Sequence, residues 1–216
     1  MDTSMKLPIL EAAQIRVLGA LMEKSKTTPD YYPMTLNGLA AACNQKTSRK
    51  PVVQYDDSTI TTALNSLKIV GLISTATGGS IRNIKYKHNF AIVFPVLPSE
   101  VAIMCLLFLR GPQTPGEINT NSGRLYEFET LEEVNQTLEK LASEGYIKQL
   151  PKRPGQKEQR YMHLFSGDME FNEDDFAVDE TSFKSNSQLE ERLAKVEEEL
   201  AELKTNFDKL MKELMG

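Results

Sequence analysis

The chain has no tryptophan, and only two cysteines and two histidines among its 216 residues. Cys43 lies in AAACN and Cys105 in IMCLLFL, surroundings in which a thiol acts as a small core hydrophobe. Nothing points to the oxidising compartment that a disulfide would need. No apolar run reaches the ~18 residues of a membrane span. The start, MDTSMKLPIL, lacks the charged-then-apolar order of a signal segment, so a cytoplasmic protein is expected. There is no Walker loop, no Gly-x-Ser-x-Gly and no Cys-x-x-Cys. The reading is therefore of a non-enzyme, with no catalytic residue, no metal and no cofactor.

Positive charge is scarce at one end. Residues 168–180, DMEFNEDDFAVDE, hold seven acids and no base. Of 30 acids and 25 bases, 15 acids and 6 bases lie beyond residue 167. The preceding body keeps 15 acids against 19 bases, a charge of +4, while the whole chain is at −5. The overall charge thus misrepresents what the body can bind.

What the chain does contain is a repeat. STITTALNSLKIVGLI and LEEVNQTLEKLASEGYI align with Gly71 on Gly145, which puts Ile60 on Val134, Leu64 on Leu138, Leu67 on Leu141 and Ile73 on Ile147. The apolar positions at i, i+4 and i+7 form one helix face, and the glycine predicts a left-handed stop. Each copy then ends in Y-x-H-x-F, as Tyr86, His88 and Phe90 or Tyr161, His163 and Phe165. Strand alternation would place the three rings on one face, and duplication marks both histidines as structural. Turn-rich TATGGS and PKRPGQK read as hairpin tips. Each copy opens with an apolar helix, about Ile9–Glu23 and about Ser99–Leu109, the second capped by Ser99. A short middle helix follows, capped by Thr35 in one copy and by Thr114 with Pro115 in the other.

Helix, helix, helix, hairpin, twice over, predicts a mainly α protein with small β-hairpins: two tandem winged-helix (helix-turn-helix-like) domains at 7–94 and 95–167. The short apolar link through VFPVL predicts that the two pack together. An acidic flexible linker is expected at 168–186 and a coiled-coil helix at 187–216. Leu189, Leu193, Val196, Leu200, Leu203, Phe207, Leu210 and Leu214 form an unbroken heptad seam, which calls for a second helix, most simply from another copy of the chain.

In a helix-turn-helix the third helix enters the major groove. In the first copy it presents Thr59, Thr61, Thr62, Asn65 and Lys68, short neutral or basic side chains suited to base edges. The loop before it, NQKTSRKP, supplies Lys46, Arg49 and Lys50 for phosphates. Asp56 and Asp57 oppose close approach unless they cap the helix. The third helix of the second copy carries Glu132, Glu133, Glu139 and Glu144, a poor surface for phosphate and a candidate protein interface. Its hairpin carries Lys152, Arg153 and Lys157, which could meet backbone or a minor groove. The expectation is an oligomeric DNA-binding protein, either a regulator or an architectural factor. The alternative is a protein-interaction adaptor that uses the same domains without DNA.

YYPMTLNGLAAACNQKTSRKP, LRGPQTPGEI and RYMHLFSG resemble the YceH-like family of uncharacterised bacterial proteins over roughly residues 7–167. The resemblance implies tandem winged-helix domains and brings no catalytic residues. Asn44, Gln45, Lys46, Arg49 and Pro51 look like the family's NQK-x-x-R-x-P segment, and 110–117 like its RGPQTPGE turn. A polar loop as long as the first needs either a partner or many internal hydrogen bonds.

Overall fold

A computed structural model describes residues 7–76, 84–152, 158–167 and Lys204. The chain divides into two compact units, Met1–Glu170 and Phe171–Gly216. The heptad seam and the whole expected linker at 168–186 lie outside the described residues.

The described chain is mainly helical, with small antiparallel strand sets. In the first repeat α1 (Ala12–Thr27) is followed by a short 3-10 turn (Pro29–Tyr31), β1 (Met34–Thr35), α2 (Leu36–Cys43), α3 (Asp57–Ile69), β2 (Ile73–Ala76) and β3 (Lys85–His88). A short helix α4 (Phe90–Val93) leads into the second repeat: α5 (Pro98–Arg110), α6 (Pro115–Ser122), α7 (Leu131–Ser143), β4 (Ile147–Gln149) and β5 (Tyr161–His163).

Local chemistry sets most of the helix ends. The Thr35 hydroxyl accepts the Gly38 N–H, and the Asp56 carboxylate accepts the Thr59 N–H at 2.8 Å. Thr114 and Glu117 cap α6 reciprocally, with Pro115 at its first position. At α5 the cap is Leu97 rather than Ser99: Pro98 takes the first helical position, and Glu100 reaches back to the Leu97 N–H at 2.7 Å. Gly71 and Gly145 have φ of 77° and 78°. In both copies the following N–H reaches back to the end of the third helix, Leu72 to Leu67 and Tyr146 to Leu141. These are paired Schellman stops, and the left-handed backbone is why glycine stands at both positions.

The strands add a feature absent from the expected plan. The first sheet has the order β1-β3-β2, with Met34 opposite Tyr86 and Ile73 opposite His88. In the second repeat Gln113 bridges Tyr161 beside the β4–β5 pair, reproducing the Met34–Tyr86 contact. The residue before each middle-helix cap thus supplies a third strand contact.

The expected three-ring strand face is interrupted. Both strands end at the histidine, where Asn89 donates its N–H to Leu72 and Leu164 donates to Tyr146. Those bonds turn the chain inward, so Phe90 starts α4 and Phe165 follows β5, both fully buried with ring centroids 5.7 Å apart. Phe94 and Phe108 pack edge-on against Phe165. The ends of the two repeats therefore meet in one aromatic centre.

The first helices of the two repeats also pack on each other. A Cβ placed on Gly19 of α1 would lie 3.0 Å from Leu109 and Phe108 of α5. α5 is buried from Glu100 through Leu109, because α1 lies on one side and α6 and α7 on the other. Its one buried carboxylate, Glu100, pairs with Lys140 of α7. Leu10 donates to the Phe165 carbonyl and Lys50 to the Leu109 carbonyl, so the first repeat donates two backbone hydrogen bonds to the second.

Candidate nucleic-acid interface

α3 buries Ile60, Ala63, Leu64 and Leu67 and turns Thr61, Thr62, Asn65 and Lys68 to solvent. Thr59 is half-buried beside the cap. The Thr62 hydroxyl donates to the Ser58 carbonyl at 2.9 Å, and the Ser66 hydroxyl donates to Thr62 at 3.1 Å. Their protons are engaged along the helix, while their oxygen lone pairs still face outward. Asp56 is committed to the cap: its bonds from Thr59 and Ser58 hold the carboxyl below the usual carboxylate range. Asp57 is exposed in the first turn.

The loop from 44 to 56 is held from inside. Asn44 donates to the Tyr55 carbonyl and accepts the Tyr55 N–H, both at 2.8 Å. Arg16 of α1 donates to the carbonyls of Cys43 and Pro51. Lys46 is exposed, and the clamp at Asn44 and Tyr55 keeps it near the start of α3. The Lys50 side chain is half-buried and its N–H is used by Leu109.

Arg49 has a different place from the phosphate contact expected of it. Its guanidinium is fully buried and makes a two-pronged pair with Glu23 at 2.6 and 3.1 Å. It also donates to the carbonyls of Ala42 and Ser48. Burial pushes the Glu23 carboxyl up, but the hydrogen bonds and charge of Arg49 outweigh this and leave it below the ordinary value. Ser48 has a left-handed φ of 59° and accepts a bond from Arg110 at the end of α5. The loop that looked like a ligand arm is thus an internal tie running from α1 through α2 to the second repeat. Arg16 and Glu23 are the partners that sequence reasoning missed. The available hint was an arginine inside the apolar run IRVLGALM.

β3 adds two further cations, half-buried Lys85 and exposed Lys87. They alternate with Tyr86 and His88 along the strand. In the second repeat Lys152 is exposed, whereas Arg153 and Lys157 lie outside the described residues. α7 exposes Glu132, Gln136 and Glu139, but Glu133 is tied to the Tyr126 hydroxyl and the Glu129 N–H.

The histidines are packing elements. His88 accepts the Phe90 N–H at 3.4 Å and lies 3.2 Å from the Ser25 hydroxyl, and burial with Lys26 nearby lowers it to about 4. His163 stands edge-on to Phe108 at 5.0 Å and is lowered to about 4 by burial. Burial raises both thiols, Cys43 to about 12. Among the described residues no three acids, cysteines or histidines come together to hold a metal, and no helix is long and apolar enough to cross a membrane.

Residues 10–156 match the family model described as "Protein of unknown function, DUF480". A UPF0502 protein of Solibacter usitatus is 47% identical over 199 residues, covering 92% of this chain and 95% of the relative. One from Opitutus terrae is 46% identical over 164 residues, covering 74% of this chain and 71% of the relative. One from Shewanella sp. strain MR-4 is 43% identical over 224 residues, covering 97% of this chain and the relative's whole length. With the family model spanning the body of the chain and two of these relatives matched almost end to end, the chain belongs to the DUF480 family of UPF0502 proteins.

Proposed function

We infer that the first unit is a pair of winged-helix domains that binds double-stranded nucleic acid through its first repeat. The observation that carries this is the divergence of two third helices built on one scaffold. α3 turns Thr61, Thr62, Asn65 and Lys68 outward, where α7 turns Glu132, Gln136 and Glu139. A face of short neutral side chains ending in a lysine fits base edges, and a face with two carboxylates fits them poorly. Lys46, held near the start of α3, and Lys85 and Lys87 on β3 supply cations for phosphates. Lys50, Lys152 and the hairpin-tip pair Arg153 and Lys157 are secondary contacts in this reading. Arg49 is excluded from it by its burial. The heptad seam would bring copies together and so pair their α3 helices on two half-sites.

Fluorescence anisotropy with mixed genomic duplexes at low salt tests the reading. Three lysines on phosphate give a log–log salt slope of roughly −2.7, so affinity falls about 40-fold between 50 and 200 mM salt. Changing Lys46, Lys85 or Lys87 to alanine removes about 0.9 from the slope for each lysine. An absence of binding at low salt refutes the reading. The adaptor alternative rests on the exposed Glu132 and Glu139 of α7. It calls instead for a co-purifying protein that is lost on E132K and E139K.

A further inference from the structure

The Schellman stops and the turns after β3 and β5 are the same structure made twice. Asn89 donates to Leu72 as Leu164 donates to Tyr146, and Ile92 donates to Asn89 as Gly167 donates to Leu164. The side chains at these matched positions differ in kind. The second repeat has Ser143 and Glu144 at the end of α7 and Gly167 after β5. The first has Ile69 and Val70 at the end of α3 and Ile92 and Val93 on α4. Ile69 is 86% exposed, Ile92 81%, Val70 44% and Val93 36%.

Asn89 brings the two halves of this patch together. Its side chain donates to the Gly71 carbonyl, next to Val70, and its own carbonyl accepts from Ile92 and Val93. The scaffold does not require aliphatic residues here, because the second repeat builds the same turns with Ser143, Glu144 and Gly167. Four aliphatic side chains gathered in water on one repeat alone indicate a contact surface.

We propose that Ile69, Val70, Ile92 and Val93 form a two-fold contact with the same patch of a second copy of this chain. None of the four carries a charge, so a two-fold axis lays the patch on itself with no like-charge cost among them. Even wholly buried, the four residues and their copies fall short of the ~1,200 Å² at which specific interfaces begin. That size suits a contact between copies that something else already holds near each other, and the heptad seam of 189–214 is the sequence feature that calls for a second copy. This contact does not depend on nucleic-acid binding.

The matched positions supply the control for a test on the full-length chain without nucleic acid. Cys43 and Cys105 are buried, so a short bis-maleimide reports an introduced surface thiol. Ile69→Cys should cross-link into dimers and Ser143→Cys, its counterpart, should not. Adding Ile92→Glu to the Ile69→Cys chain sets carboxylates against one another across the axis and should cut cross-linking at least ~10-fold. Both changes are at highly exposed positions, and an unchanged melting temperature verifies that the fold is kept. Equal cross-linking at positions 69 and 143, none at either, or no response to Ile92→Glu would overturn the proposal.

Discussion

Replacing Arg49 with alanine separates two roles for the NQK-x-x-R-x-P loop. The structure gives this side chain five hydrogen bonds, two of them to the Glu23 carboxylate and three to the carbonyls of Ala42 and Ser48. Removing one partner of a buried ion pair costs about 3–5 kcal/mol, because the other charge is left without compensation. Lys24 stays 3.2 Å from Glu23 and offsets part of that loss, which puts the expected cost near 3 kcal/mol. For a chain of this length the melting temperature should fall by roughly 6–12 °C. Urea unfolding and thermal circular dichroism at pH 7 measure this directly. The sign with pH is set by Glu23, whose folded value is depressed. The pair's contribution is fully present above the unfolded carboxylate value and fades as pH falls through the folded one, so variant and wild type should converge in acid. Arg49→Lys keeps the charge but loses the two-pronged geometry, and should fall between them. A phosphate-binding Arg49 gives the opposite pattern: melting within a degree of wild type and a salt slope shallower by about 0.9. That pattern would refute the internal-tie account.

Two other outcomes follow from the core. His88 and His163 both have folded values near 4, below the unfolded value near 6.5. The unfolded chain therefore binds more protons between those values, and stability, complete above about pH 6.5, should drop by up to about 3 kcal/mol per histidine as pH falls toward 4. His163→Phe, which keeps a ring against Phe108, should remove about half of that acid loss when unfolding free energies at pH 7 and 4.5 are compared. An unchanged loss would sink the burial explanation. At the α1–α5 contact, Gly19→Val forces a side chain into Leu109 and Phe108 and should cost at least ~1–3 kcal/mol in urea unfolding, and a neutral result would mean the helices do not approach as described.

Much of the architecture was legible in the sequence, and for a local reason. Thr35, Asp56 and Thr114 meet their helices within three residues, and Gly71 and Gly145 end theirs through bonds spanning a single turn. Such features are written within a window of a few residues, so pattern alone finds them. The α5 cap lies two residues before the Ser99 that the pattern suggests, since proline at the first helical position leaves the cap to Leu97.

What the sequence determined by itself was the duplicated order of elements, their stops, and the separation of a basic body from an acidic tail. The tertiary structure decided the destination of each long side chain. Arg49 reaches a carboxylate 26 residues upstream, and Phe90 meets a ring 75 residues on. Neither partner follows from spacing, because a charge or a ring is satisfied by whatever the fold brings near. The same distinction separates the two third helices from the loop before them. The outward face of a helix follows from its period, while a loop has no period to show which cation faces water and which is held in the interior.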